Sequence, residues 1–206
     1  MKYEPHPLPF AGAPAGISEK TLTTHHDKLY VGYVDKKNEI EAKLVALKNG
    51  GDVASANQSY SELRGLKDGE TFAVNGVYLH EWYFDMLAGD GAPAGPLADA
   101  LAAAHGGSIE NFLKYFAACG MAARGWAVVA FDTRDTALKV FTCDAHNQGG
   151  VWGAIPLIVL DVYEHAYFMD YGSDRAAYIQ AFLKQLNWAR ANELYVAATA
   201  SSAPQK

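Results

Sequence analysis

The chain has 206 residues, 50% hydrophobic and 12% aromatic, with a formal net charge of −6, seven histidines and two cysteines. That length buries a substantial core without disulfide staples, and Lys and Arg are scattered rather than clustered, which excludes a nucleic-acid backbone as partner. The N-terminus MKYEPHPLPFAGAPAG has no apolar leader core, and no apolar run approaches the roughly 20 residues that span a bilayer, so the expectation is a cytoplasmic protein with no membrane partner. Cys119 and Cys143 lie far from any C-x-x-C spacing and are expected as small buried thiols rather than as a bridge or zinc site.

In chain order, residues 1–17 hold Pro and Gly at short intervals and predict an irregular arm. Ser18 is placed to cap a long helix running to about Leu47, which KNGG at 48–51 stops. In that helix His25, Leu29 and Tyr33 recur at i, i+4 and i+8, a spacing that puts them on one face. A second helical segment is expected around VASANQSYSELRGL, a break at KDGETFAVNG, and then a third, VYLHEWYFDMLAG, with His80 among its aromatic residues. GDGAPAGP at 89–96 marks the expected boundary between a domain of residues 1–90 and one of 91–206.

Beyond the boundary, LADALAAAH and SIENFLKYFAACGMAARG read as helices. The period then changes: WAVVAFD, LKVFTCD and IPLIVLD are short, rich in β-branched residues and separated by turn residues, which predicts three strands. Helix returns from Ser173 through RAAYIQAFLKQLNWARANELYVAA, with TASSAPQK as a frayed tail. The expected class is α+β: a long helical hairpin domain, then a domain with a three-stranded antiparallel sheet flanked by helices.

The strand IPLIVLD ends on a carboxylate, Asp161, and the sequence continues VYEHAYF. A carboxylate at the end of so apolar a run needs a partner, a hydrogen bond or a metal. His165, four residues on, supplies an imidazole that a tight turn brings to the same centre. His6 in the arm and His105 at a helix end have ordinary structural explanations, and His26 is turned about 100° from His25 on the helix. His80 alone would read as a neutral ring bonded to a backbone carbonyl. With Asp161 and His165 present, two histidines on aromatic-rich helices are available to complete a His3Asp set. Such donors suit Fe, Mn, Co or Zn, whereas Ca and Mg prefer oxygen shells. A zinc hydrolase would need a general base, and no H-E-x-x-H, phosphate loop or G-x-S-x-G elbow is present.

HHDKLYVGYV at 25–34, VYLHEWYF at 77–84, RGWAVVAFD at 124–132 and DVYEHAYF at 161–168 together resemble the iron/manganese superoxide dismutase family, in order and spacing and over nearly the whole chain. The resemblance implies that His25, His80, Asp161 and His165 bind one Fe or Mn ion, with solvent as fifth ligand, and that Tyr33 stands at the substrate channel. It implies a homodimer or tetramer in which Glu164 reaches His165 of a second copy, with Trp126 and Tyr163 in the aromatic wall and Arg175 near the channel. The implied reaction is disproportionation of superoxide to dioxygen and hydrogen peroxide, the metal alternately reduced and oxidised. A non-catalytic metal-binding relative of the same fold is the competing reading.

The departures from the family pattern are informative. Leu29 and Phe168 stand where the family pairs a His and a Tyr across its dimer interface, and loss of both polar partners together can be nearly neutral. Phe84 and Tyr163 replace tryptophans, and Val128 replaces another. Gly76 holds the place from which many iron forms supply an outer-sphere amide, which leaves His146 or Gln148 to meet metal-bound solvent; the distance to Pro156 favours His146. Val159, bulky where manganese forms usually have Gly, tilts the expected metal toward iron. Lys28 and Arg175 are the cations expected to attract the anionic substrate, Lys28 with a solvated surface charge as the equal alternative.

Overall fold

The computed structural model describes residues 2–201. The first helical run begins where Ser18 accepts a hydrogen bond from the Thr21 N–H, opening α1 (Glu19–Thr23). The path continues through a π-helical segment, Thr24–Tyr30, into α2 (Val31–Lys48), and ends at Asn49, followed by Gly50 in the left-handed region. The π segment alters the expected face. In its wider turn the Val31 N–H reaches back five residues to the His26 carbonyl. The buried stripe therefore runs His25, Tyr30, Val34, while Leu29 and Tyr33 sit half-buried at its edge.

The second helix also differs from expectation. Residues 49–61 are irregular: the Asn57 side chain accepts from the Ser59 and Tyr60 N–H groups and donates to the Tyr60 carbonyl, closing a local turn that competes with helix. Ser61 then caps a single 24-residue helix, α3 (Glu62–Asp85), which passes without a break through the segment expected to interrupt it. Gly76 is a packing site rather than a breaker. A Cβ on Gly76 would stand 2.8–2.9 Å from ring carbons of Tyr33, so the missing methyl is what lets α2 and α3 close on that tyrosine.

After the linker, α4 (Pro96–Ala104) starts with Pro in its first turn, and α5 (Ile109–Ala122) is capped by Ser108. Strands β1 (Trp126–Asp132), β2 (Ala137–Cys143) and β3 (Ala154–Asp161) form an antiparallel sheet in the order β2-β1-β3. Central β1 is buried throughout, and its register pairs Trp126 with Asp161. A bulge opposite Val129 and Ala130 coincides with Pro156 on the edge strand β3, where a residue lacking an N–H is tolerated.

Past β3 come a 3₁₀ turn (Glu164–Ala166), the short α6 (Phe168–Tyr171), α7 (Arg175–Lys184) and α8 (Trp188–Ser201). The last two replace one expected continuous helix. The break at 185–187 exists because the Asn187 N–H goes to the Met86 carbonyl, the Gln185 carbonyl accepts from the Gly89 N–H, and the Asn187 side chain restarts the helix by accepting from the Arg190 N–H. Helix α8 extends through Ser201, past the expected start of the frayed tail, and 202–206 lie outside the described residues. One hydrophobic cluster joins the hairpin (Val34, Val77) to the sheet (Val129, Ile158) and to α5 and α7 (Phe116, Phe182). No helix among the described residues is long and apolar enough to cross a membrane.

Candidate metal centre

Four elements converge on one point inside the cluster. The π-helical segment brings His25, α3 brings His80, the end of β3 brings Asp161 and the 3₁₀ turn brings His165. One ligand atom of each lies within 4.8 Å of all the others. Asp161 Oδ2 is the hub: it is 3.1 Å from His25 Nε2, 3.2 Å from His165 Nε2 and 3.7 Å from His80 Nε2. His25, His80 and Asp161 are buried, and His165 is half-buried.

The chain fixes each donor separately. The His80 Nδ1–H donates to the Gly76 carbonyl at 2.5 Å, one helical turn back, which leaves the Nε2 lone pair directed at the cluster. That Nε2 is fully buried and has no hydrogen-bond partner among the described residues. Asp161 Oδ1 accepts from the Tyr163 N–H at 2.9 Å, so Oδ2 is the oxygen turned to the histidines. The Asp161 carbonyl accepts from the Tyr178 hydroxyl at 2.7 Å, and the Tyr178 hydroxyl lies 3.1 Å from that of Tyr83. Arg175 extends this support: its Nε donates to the Tyr167 hydroxyl and its Nη1 to the Ala123 carbonyl, and Tyr167 stacks on Tyr178 at 5.0 Å. These bonds tie Arg175 to the end of α5 and to the residue after the 3₁₀ turn, leaving it partly exposed; Lys28 is exposed.

Burial sets the protonation states. It lowers the His25 pKa against the pull of Asp161, and burial with the neighbouring His25 ring lowers that of His80 much further. Burial alone would raise the Asp161 carboxyl, but His165 and His25 outweigh it and hold the group below its ordinary range. Burial likewise lowers His165, and the Asp161 carboxylate reverses the sign. A buried carboxylate ringed by imidazoles, one of them orphaned at Nε2, fits a transition-metal ion, because the ion gives every inward-facing lone pair a partner.

Around the donors stand aromatic rings. Phe84 packs on His25 at 5.2 Å, Trp126 on His80 at 5.0 Å, and Tyr163 stacks on His165 at 5.3 Å. Tyr33 lies against both His80 and His146, with ring centroids 5.3 and 4.7 Å away, and burial with the Asp161 charge raises its phenol pKa. His146 is 4% exposed, and the Trp126 Nε1–H donates to its Nδ1 at 3.0 Å. Burial pushes the His146 pKa down to about 4, with Asp161 opposing, so the ring is neutral near pH 7 and carries its proton on Nε2. Gln148 lies exposed in a turn closed by its own N–H to the Ala145 carbonyl, so it is not brought to the site. Glu164 is exposed and its carboxylate makes no hydrogen bond within the described residues, and Phe168, four residues on, is 52% exposed.

Three features escaped sequence reasoning: the Gly76 carbonyl on His80, Tyr178 on Asp161, and Phe72, whose ring lies 4.5 Å from His146. The i−4 spacing of Gly76 and His80 is a readable signal for the first. Tyr178 and Phe72 approach only through tertiary packing.

Two family models match the chain: the alpha-hairpin domain of iron/manganese superoxide dismutases over residues 2–88, and the C-terminal domain of the same proteins over residues 93–194. Among individual relatives, a protein named as an iron superoxide dismutase of Aquifex aeolicus is 46% identical over 184 residues, covering 87% of this chain and 84% of its own. One named as an iron superoxide dismutase of Cupriavidus metallidurans is 37% identical over 202 residues, 96% of this chain and 98% of its own. One named as a manganese superoxide dismutase of Halobacterium salinarum is 35% identical over 198 residues, 94% and 95% respectively.

Proposed function

The chain belongs to the iron/manganese superoxide dismutase family, and from that premise we propose that it disproportionates superoxide to dioxygen and hydrogen peroxide at one Fe or Mn ion held by His25, His80, Asp161 and His165. The observation that carries the reading is the orphaned, buried Nε2 of His80 facing three further donor atoms within 4.8 Å. An ion held by these four residues would supply reversible one-electron chemistry.

The rest is the work of the chain's own residues. Asp161 contributes one negative charge to an otherwise neutral donor set, and its fixed Oδ2 orients the rings. The second half-reaction consumes two protons. Tyr33 carries its phenol proton at neutral pH, as an ordinary phenol does, and burial raises its pKa further; His146, locked as the Nε2–H tautomer by Trp126, presents a second donor at the same edge. Phe84, Trp126 and Tyr163 exclude bulk water and larger reductants. Of the two relatives' metals, iron is preferred on the strength of Val159, which packs fully buried two residues before Asp161.

In this reading the chain divides at residues 90 and 91, and the ion joins the two parts, since His25 and His80 come from one and Asp161 and His165 from the other. Glu164, exposed and with its carboxylate unbonded among the described residues, would hydrogen-bond His165 of a second copy, with Leu29 and Phe168 supplying apolar contact to a homodimer. The free thiols of Cys119 and Cys143 suit the reducing cytoplasm.

The test is to purify the protein, measure its metal content, and assay superoxide removal per metal for wild type, Asp161→Ala and His80→Ala. Stoichiometric Fe or Mn with activity, lost with the metal in both variants, is the expected result. A stoichiometric Fe or Mn load without activity would instead establish the non-catalytic relative.

A further inference from the structure

Between α3 and the sheet, beside His146, lies a cleft of about 670 Å³. Small-molecule sites run from about 300 to 1,000 Å³ and are mostly apolar with a few polar anchors. Val74, Leu79 and Trp82 of α3 line this one, facing Val128 and Ala130 of β1 and Phe141 of β2. Along β1, Trp126, Val128 and Ala130 alternate on one face of the sheet: the tryptophan reaches the metal centre, and the two smaller side chains leave the room that forms the cleft.

The charge of the walls selects the ligand. Glu70 is the one charged residue lining the cleft, and its carboxylate is paired with Lys67, so no cation waits for an anion. Thr71 and Asn147 are hydrogen-bonded to each other. The Asn75 side chain, half-buried on the wall, makes no hydrogen bond with any described residue and offers an amide. Trp152 also lines the cleft while remaining 98% exposed, so an indole that could cover an apolar occupant stands in water at the rim.

We propose that this cleft binds a small, neutral aromatic compound bearing one hydrogen-bonding group, packed against Trp82 and Phe141, covered by Trp152 and anchored by Asn75. Because His146 lines the same cleft, the occupant touches a residue of the metal centre without entering it.

The experiment is a calorimetric titration of the metal-loaded protein with 1-naphthol near pH 7, for wild type, Trp152→Ala, Asn75→Ala and Val128→Phe. The expected result is saturable one-to-one binding by wild type with Kd on the order of micromolar. Trp152→Ala and Asn75→Ala each weaken it about tenfold, and Val128→Phe, which fills the cleft, abolishes it. Absence of saturable binding by wild type overturns the proposal, as does undiminished binding by Val128→Phe with an unchanged circular dichroism spectrum. If Val128→Phe does not fold, the two rim variants decide, and unchanged affinity in both overturns it. A cleft covered by a second copy would show no probe binding and a lower sedimenting mass for Trp152→Ala, which also overturns it. None of these readouts uses superoxide, so the outcome is independent of the dismutase assay.

Discussion

Tyr178 donates its phenolic hydrogen to the main-chain carbonyl of Asp161 at 2.7 Å, and both residues are completely buried. The bond fixes the end of β3 at the residue whose side chain is the hub of the donor cluster. Tyr178→Phe strands that carbonyl and the Tyr83 hydroxyl, a loss of about 1–3 kcal/mol for a buried unsatisfied group. Chemical denaturation of the metal-free protein should show that loss, and metal titration should show weaker binding. A variant as stable as wild type would mean the strand end is held by packing alone.

Gly76 supports two neighbours at once, its carbonyl taking the His80 Nδ1–H and its missing Cβ admitting the Tyr33 ring. Gly76→Ala gains about 1 kcal/mol of helix propensity and loses about 1–3 kcal/mol to overpacking. The expected outcome is a net destabilisation of up to about 2 kcal/mol, together with reduced turnover because Tyr33 is displaced. Equilibrium unfolding and steady-state kinetics on the same preparation check both. A more stable variant with full activity would show that Tyr33 moves without cost.

His146 gives a pH signature. Its folded-state pKa lies near 4 against an ordinary 6.5, so between those values the unfolded chain binds more protons than the folded one. The stability it contributes is complete above pH 6.5 and is lost as pH falls toward 4. His146→Gln removes that dependence and leaves any packing defect constant. The melting-temperature gap between wild type and variant should therefore change, to the disadvantage of wild type, from pH 7 to pH 4 in metal-free protein. A gap that stays constant over that range contradicts the assignment of a buried neutral ring.

Removing the ion leaves one carboxylate and three imidazoles at 3.1–3.7 Å with no central partner. A ligand that binds only the folded state at 1,000 times its Kd stabilises it by about 4 kcal/mol. Chelation should lower the melting temperature markedly, Fe or Mn should restore it, and His80→Ala should lie close to the chelated wild type and respond to neither. Calorimetric scans at graded metal concentrations measure this directly.

The strands and the convergence of His25, His80, Asp161 and His165 were legible in sequence because each rests on local pattern: alternating β-branched runs, charged or imidazole groups at the ends of apolar segments, and spacing that resembles a known family. The helix interiors were harder. Glycine in α3 reads as a breaker by propensity, yet Gly76 is kept by a packing contact with Tyr33 from another helix. The π-helical segment has no compositional mark, and it moved the buried face from Leu29 to Tyr30. The interruption between α7 and α8 depends on the Met86 carbonyl, a partner about a hundred residues away. Spacing to Pro156 favours His146 over Gln148 in a glycine-rich loop, but the contact that distinguishes them is tertiary: Trp126 holds the His146 ring, while Gln148 is exposed.

The order of the donors along the chain sets a timetable. His25 and His80 leave the ribosome early, whereas Asp161 lies 136 residues after His25 and His165 follows it. Two imidazoles must therefore wait while half of the polypeptide is still being made, and Tyr178, which steadies Asp161, emerges later again. The set of four donors is complete only in a nearly finished chain, so an ion that needs all of them has no site before then.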